Sequence, residues 1–117
     1  KALSASVSQR VYTLDSASRR HLHLAAVFAC NFVNHCYAIS EQLLLNNGIP
    51  FNVMYPLIDE TASKVHLMSP KQAQTGPALR YDKSVIESQA KMLDPNPLFR
   101  QIYETMSASI NRLNNNQ

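Results

Sequence analysis

The sequence predicts an all-α domain of about five helices, and three observations carry that reading. A stretch of thirty residues, Ser18 to Asn47, carries apolar side chains at helical spacing. Further apolar stripes of the same period follow, separated by Gly and Pro breakers. Only Val11-Tyr12-Thr13-Leu14 has the β-branched and aromatic character of a strand, and one strand cannot stand without a sheet. At 117 residues the chain is long enough for one core and too short for two.

The long helix organises the rest. At about 100° per residue, Leu22, Ala25, Ala26, Ala29, Phe32, Val33, Cys36, Ile39, Leu43 and Leu44 share a wide apolar face. Arg20, His23, Val27, Asn31, Asn34, Ala38 and Glu41 fall opposite, with His35 at the margin. No Lys or Arg occurs between Arg20 and Lys64, so this second face is amide and imidazole rather than a salted surface. Such groups need hydrogen-bond partners, supplied either by neighbouring backbone or by a ligand in a cleft. The sequence leaves both open.

Residues 1–10 are small and polar, and the chain opens on Lys1 in mid-pattern, as a piece of a longer protein does. Asp15 or Ser16 is placed to cap the long helix, and Arg19 and Arg20 sit in its first turn, against the dipole. Gly48 ends it. A second helix is expected over Pro50–Leu67, capped by Asn52 and kinked or restarted at Pro56, with Val53, Leu57, Ile58, Ala62 and Val65 on a buried face. Ser69-Pro70 restarts a short helix. Thr75-Gly76-Pro77 breaks it, and Asp82 is placed to cap a helix over Lys83–Leu93, with Tyr81 and Ile86 as a hydrophobic staple. Asn96-Pro97 starts the last helix, with Phe99, Ile102, Met106, Ile110 and Leu113 on one stripe to about Leu113. The tail 114–117 is expected to fray.

Composition narrows the function. Charged residues make up 16% of the chain, below the roughly one quarter usual in soluble domains, which suits a domain with much of its surface covered. The net charge is +3 and the basic residues are scattered, so no nucleic-acid stripe is visible. His23, Asn31, Asn34 and His35 interrupt the best candidate for a membrane span. Cys30 and Cys36 are roughly 9 Å apart along the helix and cannot pair, which suits a reducing, cytoplasmic compartment. His21 and His23 diverge on the helix, and no His or Cys spacing suits a metal.

The segments HLHLAAVFACNF (21–32), MYPLIDET (54–61) and QTGPALRYD (74–82) resemble a known family. It is the all-helical C-terminal domain of unknown function attached to Rossmann-like, NADP-oxidoreductase-like proteins related to pyrroline-carboxylate reductase and the deazaflavin-dependent NADP reductases. The resemblance implies a multi-helix domain like the C-terminal domain of 6-phosphogluconate dehydrogenase. Residues 1–16 then close a preceding Rossmann-like domain or linker, 17–113 form the helical domain, and 114–117 are a tail. It places His23 and Asn31 on a helix lining an interdomain cleft, with Asn34 and His35 near, and Thr75, Gly76, Arg80 and Asp82 in a loop facing it. The cofactor it implies is NADP, held mainly by the other domain, since this chain has two glycines and no G-x-G-x-x-G.

Two functions follow. In the first, the domain supplies the substrate pocket and dimer contacts of an NADP-dependent oxidoreductase acting on a small carboxylate-bearing substrate. His23 or His35 then donates a proton, Asn31 or Asn34 holds a carbonyl or imine oxygen, and Arg20 or Arg80 binds the carboxylate. In the second, it is a helical oligomerisation module without chemistry, its polar face buried on a partner.

Overall fold

The computed structural model describes residues 15–115, all of them in helices and connecting turns. The strand expected at Val11–Leu14 lies outside the described residues. The chain divides into two compact units, 1–51 and 52–117.

Among its described residues, the first unit holds one long helix in three parts. α1 spans Ser16–Ala26, a π-helical segment spans Val27–Phe32, and α2 spans Val33–Leu45. Asp15 is the cap: its carboxylate accepts the Ser18 amide at 2.8 Å, which holds its pKa below the usual value. The helix ends in a glycine motif, with Gly48 at φ 69°, the Ile49 amide on the Leu44 carbonyl and the Gly48 amide on that of Leu45. These two bonds satisfy carbonyls that the helix end leaves free. The uninterrupted α-helix expected from the sequence is corrected by the π segment, in which carbonyls bond five residues on instead of four.

The first helix carries no buried residue. Leu24, Phe28, Phe32 and Leu45 are each about half exposed or more, and Phe28 and Phe32 meet edge to face at 4.9 Å. By length and composition alone, Ser16–Leu45 is also long and apolar enough to cross a membrane. The interruption expected from His23, Asn31, Asn34 and His35 is too sparse to prevent that.

The second unit is built from shorter pieces. In place of one helix over Pro50–Leu67, a 3-10 turn at Phe51–Met54 leads into α3, Tyr55–Lys64. Pro56 lies in the first turn of α3, where its missing N–H costs nothing, so it restarts the helix rather than kinking it. Asn52 is not the cap, and Val53, Leu57 and Val65 stand exposed rather than on a buried face. Ser69 and Gln72 close a reciprocal capping box around α4, Pro70–Ala73. α5 covers Lys83–Met92 and α6 covers Pro97–Asn115, the latter started by Asn96 Oδ1 on the Phe99 amide.

The buried centre of this unit is small: Ala90 on α5 and Ala78 in the preceding loop. Polar side chains of α6 do the rest of the fastening. Asn111 donates to the Ala78 carbonyl at 3.1 Å, Asn114 to the Lys71 carbonyl at 3.1 Å, and the Tyr103 hydroxyl to Gln89 Oε1 at 2.6 Å. Of the tail expected to fray, Asn114 and Asn115 continue α6, whose last turn is tied to α4, and residues 116–117 lie outside the described residues. Met106 and Leu113, expected in the core, are exposed.

Candidate functional site

The residues singled out in the sequence fall into two groups, one on each compact unit. Arg20, His23, Asn31, Asn34 and His35 all lie on the long helix, and all are exposed. Asn31 lies inside the π segment, and Asn34 and His35 just beyond it. The neighbouring imidazole of His21 bonds back to the Ala17 carbonyl at 3.0 Å, so it is spent on its own helix. Cys30 and Cys36 are free and exposed.

The loop group is held by backbone geometry. Gly76 adopts φ 101°, a region that a Cβ disfavours, and Tyr81 sits at φ 50° although it is not glycine. The Asp82 amide donates to the Pro77 carbonyl at 2.9 Å and the Tyr81 amide to that of Ala78 at 3.2 Å. With the Asn111 bond to Ala78, this turn is fastened to α6 from both backbone and side chain. A non-glycine residue in the left-handed region persists only where its surroundings over-determine it, and such residues gather at working sites.

Thr75 and Arg80 are exposed, while Gly76 and Asp82 are half-buried. Asp82 occupies the cap position of α5 but does not cap it, since its carboxylate accepts the Ser84 hydroxyl at 3.4 Å instead. Its ψ of 87° turns the side chain away from the first amides of the helix. Nor does it pair with Arg80: the ion pairs among the described residues join Lys64 to Glu60, and Arg100 to Asp94 and Glu104. The contact with Asp94, then that with Glu104, keeps Arg100 firmly protonated and occupied.

Tyr81 also borders an open groove of about 860 Å³ along α6, lined by Ile86, Glu104, Ser107, Asn111 and Arg112. In the sequence Tyr81 stands out only as half of a hydrophobic staple, and Asn111 and Arg112 not at all. Asn111 and Arg112 carry no motif, and a positive φ at a tyrosine leaves no trace in residue type. Among the described residues, no three His, Cys, Asp or Glu side chains are grouped to hold a metal ion. The two glycines serve a helix end and a loop, and no strand–glycine–helix turn is present among the described residues to cradle a dinucleotide.

Fold and site together define an all-helical domain with a polar helix face and a fastened polar loop. The chain belongs to the family described as a domain of unknown function, DUF2520, which it matches over residues 1–110. It is similar to the crystal structure of a candidate NADP oxidoreductase from Bacteroides fragilis, at 55% sequence identity and a TM-score of 0.82. That likeness covers 85% of this chain and 38% of the other, so the chain spans little more than a third of that structure's length. A comparison with curated proteins finds no match. The resemblance read from residues 21–32, 54–61 and 74–82 thus stands: this is a helical domain tied to NADP-oxidoreductase-like proteins.

Proposed function

We propose that the chain is the substrate-binding and dimerisation part of an NADP-dependent oxidoreductase that acts on a small carboxylate-bearing molecule. The observation that carries this reading is the 55% identity to part of a candidate NADP oxidoreductase. The residues here do not fit the cofactor, so its binding and the hydride chemistry fall to another domain. What this chain contributes is position and a proton. On the long helix, His23 or His35 serves as the acid, and Asn31 or Asn34 holds the carbonyl or imine oxygen that gains charge. Arg20 or, on the second unit, Arg80 is the carboxylate contact, because a planar guanidinium meets two oxygens at once. Thr75, Gly76 and Asp82 shape the loop around Arg80.

The exposed apolar residues of the long helix support a homodimer contact, since Leu24, Phe28, Phe32 and Leu45 otherwise remain in water. The two free cysteines suit a reducing, cytoplasmic location. The scattered basic residues favour a small-molecule partner over nucleic acid, and the asparagines and histidines of the helix favour a protein surface over a membrane interior.

The test is NADPH binding by the full-length protein, followed by turnover of small carboxylates. Arg80→Ala is expected to weaken substrate binding and spare cofactor binding, and His23→Ala to lower turnover by about 10²-fold. If both variants keep full activity and stability, the polar face is structural and the domain is an oligomerisation module.

A further inference from the structure

We propose that the π segment Val27–Phe32 sets the register of the long helix so that His23, Asn31, His35 and Gln42 form one line, from which Glu41 is removed. This rests on the reading of the helix as part of a substrate pocket and deepens it. In an uninterrupted α-helix at about 100° per residue, Glu41 stands on the same line as His23, while Asn31 is about 80° and His35 about 120° away. The sequence therefore describes a face on which the two histidines diverge and a carboxylate stands in line with one of them.

The π segment changes that. Its carbonyls bond five residues on rather than four, so it takes in about one residue more than an α-helix turning through the same angle. Everything beyond Phe32 is consequently turned back by about 100° relative to α1, and residues inside the segment part of the way. His35 then comes to about 20° from His23, Gln42 falls on the His23 line, and Asn31 moves to within about 20° of it. Glu41 is left about 100° off. All four residues of the new line are exposed and are open to a ligand along its length.

The chemical consequence is a change of charge. In the α register the line ends in a carboxylate, which repels an anionic substrate; in the π register it ends in the neutral amide of Gln42. Asn31 and His35 are about 6 Å apart along the axis and His35 and Gln42 about 10 Å. Two amides and two imidazoles at that spacing offer donors and acceptors to the carbonyl, imine or hydroxyl groups of an extended anionic substrate. A π segment within an otherwise regular helix is a feature that helices retain mostly at functional sites.

Register and function are tested separately. For register, the probe is Zn²⁺ alone on Val27→His/Phe32→His, with Phe28→His/Val33→His as the second pair, both with helicity checked by circular dichroism. Positions five apart stand about 140° from each other in an α-helix and cannot share an ion, whereas in a π turn they are neighbours. Either double variant is expected to bind Zn²⁺ about tenfold more tightly than its single variants, as facing imidazoles do on a helix. Double variants that bind Zn²⁺ no more tightly than their single variants overturn the proposal. For function, Gln42→Ala in the full-length protein should raise KM for the carboxylate substrate about tenfold, the cost of one lost hydrogen bond to a charged group, with Glu41→Ala within about twofold of wild type. The reverse ranking overturns the proposal. A zinc gain in a wild-type background that neither binds NADPH nor turns over any carboxylate rejects the oxidoreductase reading and leaves the register standing.

Discussion

The two compact units are held by different means. In the first, every interaction described is between residues close in sequence: a cap at Asp15, a glycine motif at Gly48, an aromatic pair four residues apart. In the second, the decisive bonds span long stretches of chain, Asn111 reaching back 33 residues to Ala78 and Asn114 reaching 43 to Lys71. The first unit is thus a helix with two sound ends and no core, and the second a small core fastened by amides. A helix without a buried face draws little stability from its own propensity.

The largest test of this difference is a volume change at a buried and at an exposed position. Ala90 is 2% exposed, so Ala90→Leu should destabilise the second unit by about 1–3 kcal/mol in chemical denaturation. Leu24 is 56% exposed, and Leu24→Ala should cost less than about 0.5 kcal/mol. Similar costs at both sites would erase the distinction.

A smaller effect is expected at the amide anchors. Asn111→Ala leaves the carbonyl of the buried Ala78 without its side-chain partner and should cost about 1–2 kcal/mol. Hydrogen exchange should quicken first at the Tyr81 and Asp82 amides, which close the turn that Asn111 holds. Unchanged protection there would mean that the turn holds itself.

The smallest effect concerns the cap. The Ser18 amide lowers the Asp15 pKa in the folded helix, so the cap contributes fully above the unfolded value. Its contribution is lost as the pH falls through the depressed folded value. Exchange at the Ser18 amide should therefore accelerate on acidification, while the Phe99 amide, held by the uncharged Asn96, should show no such step. Parallel behaviour of the two amides would remove Asp15 from the account.

Much of this was legible beforehand, at particular places. Asp15, Gly48, Ser69 and Asn96 each act where residue type and spacing put them, because a cap needs only a side chain and an amide two or three residues on. Asp82 had the same signature and failed, since its backbone turned its carboxylate toward Ser84. The site was legible as residue types on a helix and a loop, and not as an arrangement. A uniform 100° step cannot foresee the π segment, so it sets His35 at the margin of the face that carries His23.

The sequence alone therefore determined the helical class, most helix ends, an interruption at Pro56 and the family, all of which are written in short-range spacing and in motifs. Only the tertiary structure decided that Tyr81 takes a left-handed conformation, that Asn111 and Asn114 reach back to Ala78 and Lys71, and that Ala78 and Ala90 are buried. The physical reason is range. A cap is settled within one turn, whereas a strained turn or a buried carbonyl depends on groups brought from tens of residues away, and burial depends on what lies against the surface.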